Sequence, residues 1–269
     1  MFTSAQMRNP VQTSRFKNVI YIVFENKKFS TSIAQPIFKA FADRGVNFTQ
    51  MMAETHPSQA NYIAMVAGDL LGVGGDGNVN LDKSHLGDLL ESKGMDWRIY
   101  AEDYPGNCFL GATSGKYARK HVPFISFTNV QTSPQRCGKI VNFSGFQSDW
   151  SNHRIANFNM IVPNLDSDGH DTDINFAAQW FDKTFGQALN DSRLMEDTLF
   201  IVTFDESEGI FSTNQIYTAL ISPHLPQKIS IKDKHNHYSI LKFLEDEWQL
   251  GNLGRKDTSA AVIRELQAR

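Results

Sequence analysis

No run of apolar residues in this sequence is long enough to cross a bilayer as a helix. The longest, Val19 to Phe24, falls far short of the roughly 18 to 20 residues required. Positive charge is not in excess either: 26 Lys and Arg stand against 29 Asp and Glu, a net charge of -3. Such a chain has no bulk attraction for a nucleic-acid backbone or an anionic membrane, so no nucleic-acid-binding surface is expected. Cysteine is scarce. Cys108 and Cys137 fit no zinc-ligand spacing, which leaves a disulfide or two buried thiols. The first fifteen residues, Met1 to Arg15, lack an apolar core, so no secretory signal is visible, although a signal already removed would leave the same start. Internal repeats, low-complexity tracts and linkers are also missing. With 269 residues, 41% of them hydrophobic, 20% charged and 12% aromatic, a disordered, collagen-like or coiled-coil chain is excluded and one domain over residues 1–269 is expected.

What is present alternates between strand and helix patterns. Asn18 to Phe24 is a β-branched and aromatic run of the kind buried on both faces of a parallel sheet. Leu199 to Phe204 repeats it, Ile155 to Val162 is a third candidate, and Trp97 to Ala101 a shorter fourth. Between them, Gln59 to Ala67 reads as a buried helix stopped by Gly68, and Ser84 to Lys93 as a helix stopped by Gly94. Asn175 to Leu189 and Tyr238 to Trp248 carry the apolar stripe of helices lying on a sheet. The alternation predicts an α/β fold, a three-layer α/β/α sandwich with a mostly parallel sheet. Residues 103–149, rich in Gly, Ser, Thr, Asn and Pro, read as a long loop excursion with a functional purpose.

Ligands in open α/β sheets collect beyond the carboxyl ends of the strands. Three candidate strands run there into acidic clusters: Glu25-Asn26, Asp166 to Asp171, and Asp205-Glu206. One such cluster alone is most often a solvated turn. Three together bring like charges to one sheet edge, and a divalent cation with oxygen and imidazole ligands is the usual compensation. His170, close after Asp168, and His237, just before the last helix, supply imidazoles; His85, His153 and His224 have no such company and read as structural or surface residues. Ser58 follows Pro57 at the start of the helix that ends at Gly68, where unpaired N–H groups and the helix dipole favour an anion. The commonest use of a serine there is as an N-cap. A metal beside its hydroxyl would make it a nucleophile instead. A Ser/His/Asp esterase built on Ser58, His170 and Asp205 lacks the glycines of G-x-S-x-G and leaves Glu25, Asn26, Glu206 and His237 unused.

An ordered set of segments carries a resemblance. Phe24-Glu25-Asn26, His56-Pro57-Ser58 with Asn61-Tyr62, Lys116 to His121 with Pro123-Phe124, Pro163-Asn164 with Asp168 to Asp171, Phe204-Asp205-Glu206 and His237-Tyr238-Ser239 together resemble the phosphoesterase family of acid phosphatases and bacterial-type phospholipases C, within the alkaline phosphatase superfamily. The resemblance implies an alkaline-phosphatase-like fold and metal-assisted phosphoryl transfer with a divalent ion such as Mg, Ca or Zn. Glu25, Asn26, Ser58, Asp205 and Glu206 are implied around the main metal, and Asp168, His170 and His237 form a second half of the site, either as ligands of another metal or as groups that hold phosphate and protonate the leaving oxygen. Asn26, His56, Lys120 and His121 are the implied substrate-binding side chains, and Ser58 and His170 the implied nucleophile and leaving-group acid. Ala60, where the family often has Pro, and Ser207-Glu208-Gly209, in place of an earlier glycine, depart from its pattern.

The expected activity is that of a phosphomonoesterase acting on small phosphate esters, phosphoinositides included, through a phosphoserine. A phospholipase C-type phosphodiesterase acting on a phospholipid headgroup, and a phosphate- or headgroup-binding module without turnover, are the alternatives. The family's habit of secretion implies an extracytoplasmic location and favours the Cys108–Cys137 disulfide.

Overall fold

The structure, a computed structural model, describes residues 14–209, 211 and 213–267. Most of the amino-terminal stretch without a visible signal therefore lies outside the described residues. Among the described residues no helix is long and apolar enough to cross a membrane.

An eight-stranded sheet organises the chain. Its strands, in chain order, are β1 (Asn18–Phe24), β2 (Val46–Phe48), β3 (Trp97–Ala101), β4 (Ile140–Asn142), β5 (Phe158–Val162), β6 (Thr198–Phe204), β7 (Thr218–Ile221) and β8 (Ile229–Ile231). Across the sheet they run β8-β2-β7-β6-β1-β5-β3-β4. Only β7 is antiparallel to its neighbours, so the sheet is mostly parallel. β1 lies at the centre, paired from Asn18↔Thr198 to Phe24↔Phe204 with β6 and from Val19↔Phe158 to Ile22↔Ile161 with β5. Every residue of β1 after Asn18 is buried, as its unbroken β-branched and aromatic run requires of a strand covered on both faces.

The covering helices are α1 (Pro36–Arg44), α2 (Ser58–Ala67), α3 (Leu86–Ser92), α4 (Ile174–Phe185) and α5 (His237–Glu247). Side-chain alternation along the strands sorts them into two outer layers. On one face Phe24 and Phe204 meet Phe38 of α1, and Phe24 also meets Phe181 of α4, at ring separations of 5.2 to 6.2 Å. On the other, Trp97 packs on Phe124 and on His85, the cap of α3, while Tyr100, an odd number of residues along β3, turns back toward Phe146 and the α4 side. The three-layer α/β/α architecture follows.

Element ends differ from the sequence expectation where side chains close turns. The third strand begins at Phe158 rather than Ile155, because the Asn159 amide accepts from the Ala156 N–H and donates to the Ala156 carbonyl, curling the chain before the strand. His85 is not helical. Its ring accepts from the Gly87 N–H while Asp88 accepts from the His85 N–H, a reciprocal cap that starts α3 at Leu86. Asp173 starts α4 at Ile174, and α4 ends at Phe185 before a short 3-10 turn over Ala188–Asn190. Within residues 103–149 the chain returns once to add β4 at the sheet edge, and Cys108 and Cys137 are joined in a disulfide with Cα atoms 5.5 Å apart.

Candidate active site

Three neighbouring central strands, β6, β1 and β5, deliver the acidic clusters to one edge of the sheet. The N–H of Asp205 donates to the Phe24 carbonyl and the N–H of Glu25 to the Asp168 carbonyl, both at 2.9 Å, so the three segments are stitched together as they leave the sheet. Asn26 then turns in the left-handed region (φ 52°), a conformation Asn tolerates better than most residues. That turn lets its N–H donate to Asp205 Oδ1 at 3.1 Å and its amide donate to Glu25 Oε2 at 2.9 Å. Gly169 (φ 92°) reverses the chain between Asp168 and His170, and Lys27 holds the turn by donating to the Gly169 carbonyl at 2.6 Å.

Ser58 is the first residue of α2, and its side chain caps nothing. It is 2% exposed, and its hydroxyl faces Glu25 Oε2 at 3.0 Å and Glu206 Oε1 at 3.2 Å. Asn61, one turn on, fixes the approach to this helix: its carbonyl accepts from the Glu54 and Thr55 N–H groups, and its amide donates to the Thr55 carbonyl. Tyr62 follows Ser58 at the i+4 spacing that shares a helix face, and its hydroxyl donates to Glu25 Oε1 at 2.7 Å. On the far side of Glu206, His56 Nδ1 pairs closely with Oε2.

His121 lies deeper than a substrate-facing position would suggest. Its ring stacks on Tyr62 at 5.1 Å, with Nε2 3.2 Å from Glu25 Oε1 and Nδ1 3.3 Å from Asp168 Oδ2. Burial, followed by the charges of Lys120 and His170, holds its pKa well below the ordinary range. A neutral imidazole has one N–H and cannot serve two carboxylates. Burial and then the Asp205 and Asp168 charges push Glu25 far up, burial and then Glu206 push Asp205 far up, and burial lifts Asp168 to about 8. Anions crowded in this way call for protons or a cation. Glu25, His121 and Asp168 can each offer one ligand atom within 4.8 Å of the others, and Asp168 Oδ2, Asp205 Oδ2 and both His121 ring nitrogens are buried without hydrogen-bond partners. The donor set fits a divalent metal.

The remaining expected residues sit around this group. His237 is fully buried, and its Nε2 lies 2.8 Å from the Asp205 backbone carbonyl. A carbonyl only accepts, so Nε2 carries the proton and the unpartnered Nδ1 keeps its lone pair. Burial lowers the His237 pKa to about 4, which keeps the ring neutral. His170 is exposed, with Nδ1 donating to Asp171 at 2.8 Å and its ring 6.0 Å from that of His121. Lys120 does not point freely into the site: its ammonium donates to Asp76 at 2.8 Å. The structure thus brings Glu25, Asn26, Ser58, Asp205 and Glu206 into direct contact. His121 and Asp168 join them through Glu25, while the His237 ring meets this group at the Asp205 backbone carbonyl.

Tyr62 and Asp76 were not assigned roles from sequence. The i+4 spacing from Ser58 was a usable signal for Tyr62, and an acid within Gly74-Gly75-Asp76-Gly77 was a weak one for Asp76.

A probable acid phosphatase of Kluyveromyces lactis is 34% identical over 96% of this chain and 64% of its own length. A phosphatidylinositol-3-phosphatase of Mycobacterium tuberculosis is 32% identical over 93% of this chain and 83% of its own. The chain spans about three fifths of the length of the fungal acid phosphatases it matches, from 59% to 64%. In fold it is similar to a protein of the alkaline phosphatase superfamily from Vibrio parahaemolyticus, with a TM-score of 0.63, 14% identity and coverage of 95% of this chain and 73% of the other. With the model of the Phosphoesterase family matching residues 27–251, which takes in every candidate site residue except Glu25 and Asn26, the chain belongs to the Phosphoesterase family.

Proposed function

We propose that this protein is a metal-dependent phosphomonoesterase of the acid phosphatase type, acting on small phosphate esters, phosphoinositides among them, through a phosphoserine at Ser58. The observation that carries the reading is the Ser58 hydroxyl, released from capping at the start of α2 and turned onto Glu25 and Glu206. The names of the similar acid phosphatases and of the phosphatidylinositol-3-phosphatase support the substrate class.

In this reading Glu25, His121 and Asp168, with Asp205 beside them, hold a divalent ion of the Mg, Ca or Zn kind. When bound, it supplies positive charge for the transferring phosphoryl group and lowers the pKa of a nearby hydroxyl. Ser58 Oγ attacks phosphorus as its proton leaves along the hydrogen bonds to Glu206 and Glu25, and the bond from phosphorus to the leaving oxygen breaks. His56 steadies Glu206 from its other oxygen. His170, whose Nδ1 is committed to Asp171, presents Nε2 at the exposed rim to protonate the leaving oxygen. Asn26 and Lys120 orient the phosphoryl oxygens, and water then hydrolyses the phosphoserine. The Cys108–Cys137 bond suits work in an oxidising, extracytoplasmic compartment.

The test is Ser58→Ala. Turnover of p-nitrophenyl phosphate is expected to fall by several orders of magnitude, while circular dichroism and melting temperature stay those of the wild type. Activity near the wild-type level would remove the phosphoserine.

A further inference from the structure

The carboxylate of Asp76 occupies two donors that border Ser58. Oδ1 accepts from the backbone N–H of Gln59, the second residue of α2, at 3.1 Å, and Oδ2 accepts from Lys120 Nζ at 2.8 Å. Gln59 follows the proposed nucleophile in the chain, and Lys120 precedes His121.

Beyond Val73, which is buried in the core and donates to the Leu70 carbonyl, the segment that carries Asp76 is held by little else. In Gly72-Val73-Gly74-Gly75-Asp76-Gly77, a Cβ added at any of the four glycines would meet nothing within 4 Å. Only Gly72 has a positive φ (77°), so neither backbone conformation nor packing calls for glycine at 74, 75 or 77. Among the described residues, the hydrogen bonds of residues 74–77 are the two made by the Asp76 carboxylate. Three glycines without a steric reason give the chain freedom to swing, and the tether that stops it is an anion resting on anion-binding donors.

We propose that Asp76 is an internal occupant of the phosphate position, which a substrate's phosphoryl group must displace from Lys120 and the Gln59 N–H. This rests on the phosphatase reading above. A carboxylate brings one negative charge, so the arrangement selects for ligands that bring more, namely the dianionic phosphoryl group of a monoester over a monoanionic diester or carboxylate.

Calorimetric titration of inorganic phosphate into the metal-loaded protein tests this without turnover. Asp76→Asn keeps an acceptor for Gln59 and removes the charge. Its dissociation constant is expected to drop about tenfold below that of the wild type, and the gain is expected to vanish in a Lys120→Ala background, where Asp76 has no cation to withhold. Asp76→Ala serves as the second variant, with melting temperatures as the check on folding. Unchanged or weaker binding by both Asp76 variants overturns the proposal and makes Asp76 a brace for α2. An equal gain without Lys120 also overturns it, in favour of a bulk-charge effect. A wild type that turns over no phosphate monoester strikes the phosphatase reading, whereas this inference falls by the titrations; phosphate bound by no variant fails both.

Discussion

Around Ser58, single side chains carry opposing demands. Glu25 meets Ser58, Asn26, Tyr62 and His121, yet it is fully buried beside Asp168 and Asp205, so its anion survives only in the company of positive charge. Protein purified without added metal is therefore expected to retain a divalent ion by elemental analysis. Asp168→Asn and His121→Ala should each lose most of it; retention of full content by both would place the ion elsewhere. At this scale the sequence was legible wherever a strand ended in acids, because a parallel sheet sends all such ends to one side. The meeting of Glu25, Asp205 and Glu206 around Ser58 and Asn26 follows from that rule. The depth of His121 was not legible, since it arrives from a 3-10 turn (Arg119–His121) inside the long excursion and no periodicity marks which side of such a turn is buried.

Helices were legible by their stripes, less so by their ends. Gln35, His85 and Asp173 each accept N–H groups of the following turn and set where α1, α3 and α4 begin. Only one of these, Asp173, is among the preferred capping types. Helix α5 shows a different tension. Glu245 is 2% exposed on it, against the buried Asp257, which is itself occupied by the Leu253 and Arg255 N–H groups. Burial and then the Asp257 charge lift the Glu245 carboxyl from 4.5 to about 8. The folded protein thus binds that proton more tightly than the unfolded chain does. Stability from this group is full below about 4.5 and is lost as pH rises through about 8. Melting curves from pH 5 to pH 9 should show wild-type stability falling relative to Glu245→Gln; parallel profiles would refute it.

For the molecule as a whole, the α/β sandwich was legible from alternation alone, while the short strands β2, β4, β7 and β8, of three or four residues each, gave no pattern long enough to read. The disulfide was open from the residues and is settled by the structure. It closes a loop of 29 residues in sequence separation, worth about 3 to 4 kcal/mol in the chain-entropy treatment. Reduction, or Cys108→Ala with Cys137→Ala, should lower the melting temperature while leaving metal content unchanged. An unaltered melting temperature would show that the excursion is held by its packing alone.

The stitching of β6, β1 and β5 at their carboxyl ends has a consequence for synthesis. Ser58 is separated from Glu206 by 148 residues, and Asn26 from Asp205 by 179. A chain emerging from the ribosome carries Ser58 early, yet central β1 lacks one neighbour, and the site lacks Asp205 and Glu206, until β6 has been made. A nascent or truncated form that stops at the end of β6 therefore holds Ser58 with neither Asp205 nor Glu206 beside it, and on the proposed reading it has an incomplete site.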